Sequence, residues 1–94
     1  MKNNTIERKQ CSLSENDIML DYKLILTEGT NYDLFGEMSV YSILILQIEG
    51  GITTEYDFLY DVARDEKSAV AILDTLVYNN VMPTNARDVL ADSL

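Results

Sequence analysis

Apolar positions along this chain recur first with period two and then, past residue 62, with the period of a helix. From Ile18 to Thr27 the alternation is regular: Ile18, Leu20, Tyr22, Leu24 and Leu26 share one face, with Asp21, Lys23 and Thr27 on the other. That is the mark of a half-buried strand. Between Met38 and Glu49 both faces are apolar through Ile43-Leu44-Ile45-Leu46, which predicts a central strand. Upstream, residues 5–11 make a short strand of weak alternation, and Ser12 to Asp17 (SLSEND) is rich in turn formers and reads as a connection. Glu28 to Gly36 contains two glycines and an asparagine and reads as a loop, with Leu34 and Phe35 dipping into the core.

Glu49-Gly50-Gly51-Ile52 is the clearest turn. Gly-Gly between two β runs fits a two-residue hairpin, in which both central residues need positive φ. With Glu49 facing Ile52, an uninterrupted register sets Ile45 across from Tyr56, Ile43 from Phe58 and Tyr41 from Tyr60, a coherent core face. On the reverse face Leu44, Leu46 and Ile48 then lie opposite Asp57, Glu55 and Thr53. Aliphatic side chains on an otherwise acidic face need a cover: the N-terminal segment, a neighbouring strand's side chains or a second copy. Leu44, Leu46, Ile48 and Leu59 are therefore the candidate interaction surface. A slip of one residue would exchange the two faces.

After Val62 the period lengthens. Asp65 is placed to cap a helix, with Glu66 in its first turn, and Ala69, Ile72, Leu73 and Leu76 follow at helical spacing. Asn79-Asn80 ends this helix, because Asn tolerates the left-handed conformation. Val81-Met82-Pro83 is an extended linker, and a last helix runs from about Thr84 to Ser93 with Ala86, Val89, Leu90 and Leu94 on one side. The expectation is one α+β domain over residues 1–94. Residues 1–17 form a weakly structured segment or edge strand, 18–62 an antiparallel meander giving a sheet of three to four strands, and 65–94 two C-terminal helices.

Composition adds a constraint on partners. The 94 residues hold 16 acids against 7 basic residues, a net charge of −9. Residues 1–23 balance Lys2, Arg8, Lys9 and Lys23 against Glu7, Glu15, Asp17 and Asp21, so the whole net charge belongs to residues 24–94. Such a field repels phosphate backbones and anionic headgroups, which argues against nucleic acid and membrane surfaces as partners. The start, MKNNTIERKQ, has no apolar run able to act as a signal-peptide core, and Val40 to Ile48 is far shorter than a membrane span. With a single cysteine and no disulfide framework, the expected compartment is the cytoplasm.

Catalytic chemistry has little to work with. There is no histidine, and Gly29, Gly36, Gly50 and Gly51 match neither dinucleotide nor Walker spacing. Glu55, Asp57 and Asp61 at i, i+2 and i+6 offer oxygen ligands for a hard cation, but two adjacent carboxylates fall short of an oxygen cage and serve equally as a solvated strand face. Cys11 beside Arg8 and Lys9 is a thiol without a partner motif. Tyr41, Tyr56, Tyr60 and Phe58 would stack a flat ligand or a protein partner, and are also what a core face with wet edges looks like.

The C-terminal third, from Asp61-Val62 through Leu76-Val77-Tyr78-Asn79-Asn80-Val81-Met82-Pro83 to Asp88-Val89-Leu90, resembles a family of small bacterial proteins catalogued as a domain of unknown function. Members are similar in an N-terminal pair of strands, a Tyr-Gly-Ile-type strand and an ending Leu-Tyr-x-Asn-x-Val-(Ser/Thr)-Pro-x-His-Leu-x-Asp-Val. Tyr41-Ser42-Ile43 matches the middle strand with Ser42 in the glycine place. Met82 stands in the Ser/Thr place and Asn85 in the His place. The resemblance implies the strand-then-helix order and no activity.

The residues thus point to a non-catalytic interaction or regulatory protein that associates with itself or with another protein, with no cofactor and no metal. An acidic mimic that occupies a nucleic-acid-binding partner is the alternative, and a carboxylate-dependent metal enzyme the third reading.

Overall fold

A computed structural model describes residues 2–13, 17–31 and 36–93. Four antiparallel strands form one sheet in chain order, a plain meander: β1 (Lys2–Leu13), β2 (Ile18–Asn31), β3 (Gly36–Glu49) and β4 (Ile52–Ala63). Two helices follow, α1 (Glu66–Tyr78) and α2 (Ala86–Ser93). The α+β architecture predicted above is the one found, with four strands. β1 is longer than its faint pattern predicts. It is an edge strand paired to β2 from Leu13↔Ile18 to Lys2↔Glu28, and buries little of its own surface, so few of its positions need be apolar. β2 runs past Glu28 to Asn31, where a loop is predicted, and Leu34, Phe35 and Leu94 lie outside the described residues.

The Gly50-Gly51 turn forms as predicted, with φ of 59° and 82° at the two glycines. These are the left-handed conformations a type I′ hairpin demands and that a side chain would strain. The register beyond it departs from expectation. Glu49↔Ile52 and Ile48↔Thr53 pair directly, but the next pairs are Gln47↔Glu55, Leu46↔Tyr56, Ile45↔Asp57, Leu44↔Phe58 and Ile43↔Leu59. Thr54 is therefore an extra residue, a β-bulge, and its hydroxyl reaches the carbonyl oxygen of Gln47 at 3.4 Å. One inserted residue exchanges the faces of everything downstream. A second irregularity lies at residues 60–62, where Asp61 adopts φ 54° and donates its N–H to Ser42 Oγ at 3.1 Å. Ser42 is fully buried there, so the position that resembles the family's glycine holds a small side chain against a bulge.

The core lies on one face of the sheet. Ile18, Leu20, Tyr22 and Leu24 of β2, Ile43 and Ile45 of β3, and Leu59 of β4 meet Ala69, Leu73 and Leu76 of α1, with Val81 and Ala86 closing the end. The Asp65 side chain caps α1 by accepting from the Ser68 N–H at 2.8 Å, and Asn80 takes up φ 50° just past its end. α1 touches all four strands. α2 begins two residues later than its apolar spacing predicts. Residues 83–85 form a turn instead: Asn85 Oδ1 accepts from the Met82 N–H at 3.0 Å, and the Asn85 N–H returns to the Met82 oxygen at 3.1 Å. Asn85, standing where the resembling family has His, thus fixes the linker by accepting a hydrogen bond.

Candidate functional site: the open face of the sheet

Both helices sit on the face that carries Tyr22 and Ile45. Tyr22 donates to the Val81 oxygen, Lys9 pairs with Asp74 of α1, and Asp57, opposite Ile45, pairs with Arg87 of α2 at 2.9 Å. By strand alternation the other face presents four rows across β1 to β4. They run Ser12-Met19-Ile48-Thr53, Gln10-Asp21-Leu46-Tyr56, Arg8-Lys23-Leu44-Phe58, and Thr5-Ile25-Ser42 with Tyr60 beside it. No described element covers these rows.

Leu44, Leu46 and Ile48 lie on this open face, half-buried by their neighbours and outside the core cluster. Their expected companion Leu59 does not. It is 2% exposed, packs in the core and pairs with Ile43, because the Thr54 bulge turns it inward. The same bulge replaces the acidic neighbours predicted for Leu44 and Leu46: Phe58 stands beside Leu44 and Tyr56 beside Leu46, while Ile48 keeps Thr53. The aromatic group is split accordingly. Tyr41 packs at the core margin, whereas Tyr56 (69% exposed), Phe58 (37%) and Tyr60 (61%) stand on the open face. Phe58 and Tyr60 have ring centroids 6.4 Å apart, within the range of tilted aromatic pairs.

Carboxylates are not gathered. Asp57 is held by Arg87, and Asp61 sits in the second irregularity. Among the described residues no group of three or more Cys, Asp or Glu side chains is placed to hold a metal ion. Cys11, paired with Leu20, lies beside the Tyr22 hydroxyl at the core margin.

The alternating pattern left one feature of this face unread. Asp21, assigned to the polar face of its strand, is only 2% exposed. Arg8 reaches across from β1 and donates from Nε and Nη2 to its two oxygens, at 3.1 and 2.9 Å. Those bonds hold the guanidinium above its ordinary pKa. The signal was available in the spacing, since β1–β2 pairing brings Arg8 opposite Lys23 and diagonal to Asp21. The face therefore divides along the sheet: charged and polar on β1–β2, aliphatic and aromatic on β3–β4.

These features define a class, an α+β protein whose helices pack on one face of the sheet and whose other face no described element covers. The sequence profile of a family of unknown function, DUF6514, matches residues 1–94, and the chain belongs to that family. The resemblance seen in the C-terminal third thus extends over the whole chain. No curated protein and no solved structure matches it. No helix among the described residues is long and apolar enough to cross a membrane.

Proposed function

We propose that this protein is a non-catalytic interaction module whose working surface is the open face of β3 and β4. One observation carries the reading. The strands place Leu44, Leu46, Ile48, Tyr56, Phe58 and Tyr60 together on a face that no described element packs against, with Tyr56 and Tyr60 more than half exposed. A contiguous patch of large apolar side chains marks an interaction site more often than it ornaments a monomer. Aromatic side chains are the type most enriched at binding hot spots. The absence of histidine from the chain supports a binding role over acid–base chemistry.

Affinity capture from the native host with wild-type protein and with Tyr56→Lys tests this. Tyr56 is 69% exposed, so the substitution leaves the core intact. Loss of every captured contact, second copies included, in a variant of unchanged circular dichroism supports the reading. Contacts that all survive the substitution sink it.

A further inference from the structure

Building on that reading, we infer that the occupant of the open face is a second copy of this chain. The two sheets pack face to face about a two-fold axis that crosses the strands, so that β3–β4 of one copy lies on β3–β4 of the other. Three observations support this arrangement.

The first is charge. The chain carries −9, so two copies repel over most approaches at distances within a Debye length, about 8 Å at physiological salt. The open face is the exception. Its four rows hold two cations, Arg8 and Lys23, and one acid, Asp21, which Arg8 already neutralises. Glu7, Glu49, Glu55 and Asp57 fall by alternation on the helix-bearing side. Within these four rows two copies bring no unpaired acid against another; Asp17, beside Ser12, Met19 and Ile48, and Asp61, beside Ser42, lie at the two ends of the face.

The second is area. Four strands spaced about 4.8 Å apart and some 40 Å long present roughly 750 Å², close to the roughly 800 Å² per partner of a standard stable interface. The molecule's extents of 49 × 27 × 19 Å leave room for a sheet of that length. Stacked sheets about 10 Å apart with strands crossing near −30° form the common β-sandwich layer, here with the helices outside.

The third is the division of the face, which fixes the axis. A two-fold parallel to the strands would lay Lys23 and Arg8 of one copy on Leu44 and Phe58 of the other, burying charge against apolar side chains. An axis across the strands, between the Leu44 and Leu46 rows, lays apolar half on apolar half. It also sets Lys23 of one copy over the Asp21 row of the other. Edge-to-edge association is disfavoured by comparison. β1 carries Glu7-Arg8-Lys9 and an irregularity at Ile6, and β4 carries the Thr54 bulge, with Arg87 donating to the Phe58 oxygen at 3.3 Å.

Sedimentation velocity in reductant, which removes any cross-link through Cys11, provides the test at protein concentrations from about 1 to 500 μM. Wild type is expected to shift from monomer to dimer within that range. Leu46→Lys and Tyr56→Lys, which lower the overall negative charge and place an ammonium group in the apolar half of the face, are expected to weaken association at least about thirtyfold. Tyr56→Lys guards against misfolding, because its side chain is exposed. A wild type that stays monomeric throughout overturns the inference, as does a dimer indifferent to both substitutions. A monomer that still captures a different protein through Tyr56 overturns the second copy and leaves the interaction-module reading standing.

Discussion

The Tyr22 hydroxyl donates to the carbonyl oxygen of Val81 at 2.8 Å, joining the middle of β2 to the connection between the two helices, 59 residues away in sequence. Both residues are buried, and the oxygen belongs to the linker between the two helices, where no helix or strand ladder supplies a donor. Tyr22→Phe keeps the ring and orphans that acceptor. The expected loss is about 1 kcal/mol of unfolding free energy, measured by urea denaturation. A loss indistinguishable from zero would mean that water replaces the hydroxyl.

The same tyrosine makes a prediction about alkaline pH. Burial, reinforced by the neighbouring Cys11 thiol, pushes the Tyr22 hydroxyl well above the ordinary tyrosine pKa near 10. The folded state keeps its proton where the unfolded chain has lost it. The stabilisation is therefore complete below about pH 10 and declines as pH rises above it. Ultraviolet titration of the six tyrosines should show one that ionises only as the protein unfolds, and that step should be missing in Tyr22→Phe. A wild type that shows no such late step would contradict the burial of Tyr22.

The bulge at Thr54 yields an opposed pair of substitutions. Leu59→Ala removes a core side chain that pairs with Ile43 and should cost about 2–5 kcal/mol. Tyr60→Ser, one residue on, changes a side chain that is 61% exposed and should stay within about 1 kcal/mol in the monomer. The uninterrupted register reverses the two, with Tyr60 in the core and Leu59 outside. Chemical denaturation of the two variants at a concentration where wild type is monomeric decides between them.

That pair also shows where the sequence was legible. Element order, the Gly50-Gly51 turn, the Asp65 cap and the left-handed Asn80 each rest on local chemistry, and each is found in place. The facing of β4 rests on a non-local choice. Its even positions Tyr56, Phe58 and Tyr60 are the more apolar set, and the rule that apolar faces turn inward assigns them to the core. Nothing in Thr53-Thr54-Glu55 announces an extra residue, because a bulge needs no special side chain when Thr54 can satisfy the Gln47 oxygen itself. The rule failed on the strand whose outward face is the larger hydrophobic one. Leu44, Leu46 and Ile48 were legible as surplus because β3, apolar on both faces, has helices on only one of them.

At the start of α1, Asp65 accepts from the Ser68 backbone N–H at 2.8 Å and from its hydroxyl at 2.9 Å. These bonds, the backbone one foremost, hold the carboxyl below its ordinary pKa. A depressed folded value means that the cap's contribution is present above the unfolded pKa, near 3.9, and is lost as pH falls through the folded value. Asp65→Ala should therefore melt below wild type at neutral pH, with the gap closing as both proteins are acidified past about pH 4. A gap of constant size down to pH 2 would assign the effect to helix propensity alone.

The Arg8–Asp21 pair should behave as a buried acid with an exposed cation over it. Arg8 is 55% exposed and Asp21 only 2%, so the two halves of the pair are not equivalent under substitution. Removing the guanidinium in Arg8→Met leaves a carboxylate in the sheet with no cation to face, the costly half of breaking such a pair. Asp21→Leu instead removes the buried charge, and the remaining Arg8 extends into water at little cost. The order of stability expected by thermal melting places Arg8→Met lowest, with the double variant Arg8→Met/Asp21→Leu above it despite carrying one more substitution. The double variant also tests how the polar half of the open face serves association, since it exchanges a neutralised ion pair for apolar surface beside Leu46. Its dimer should form more tightly than that of wild type. Weaker association would mean that the Arg8 fork itself touches the second copy, and would move the two-fold axis toward β1–β2.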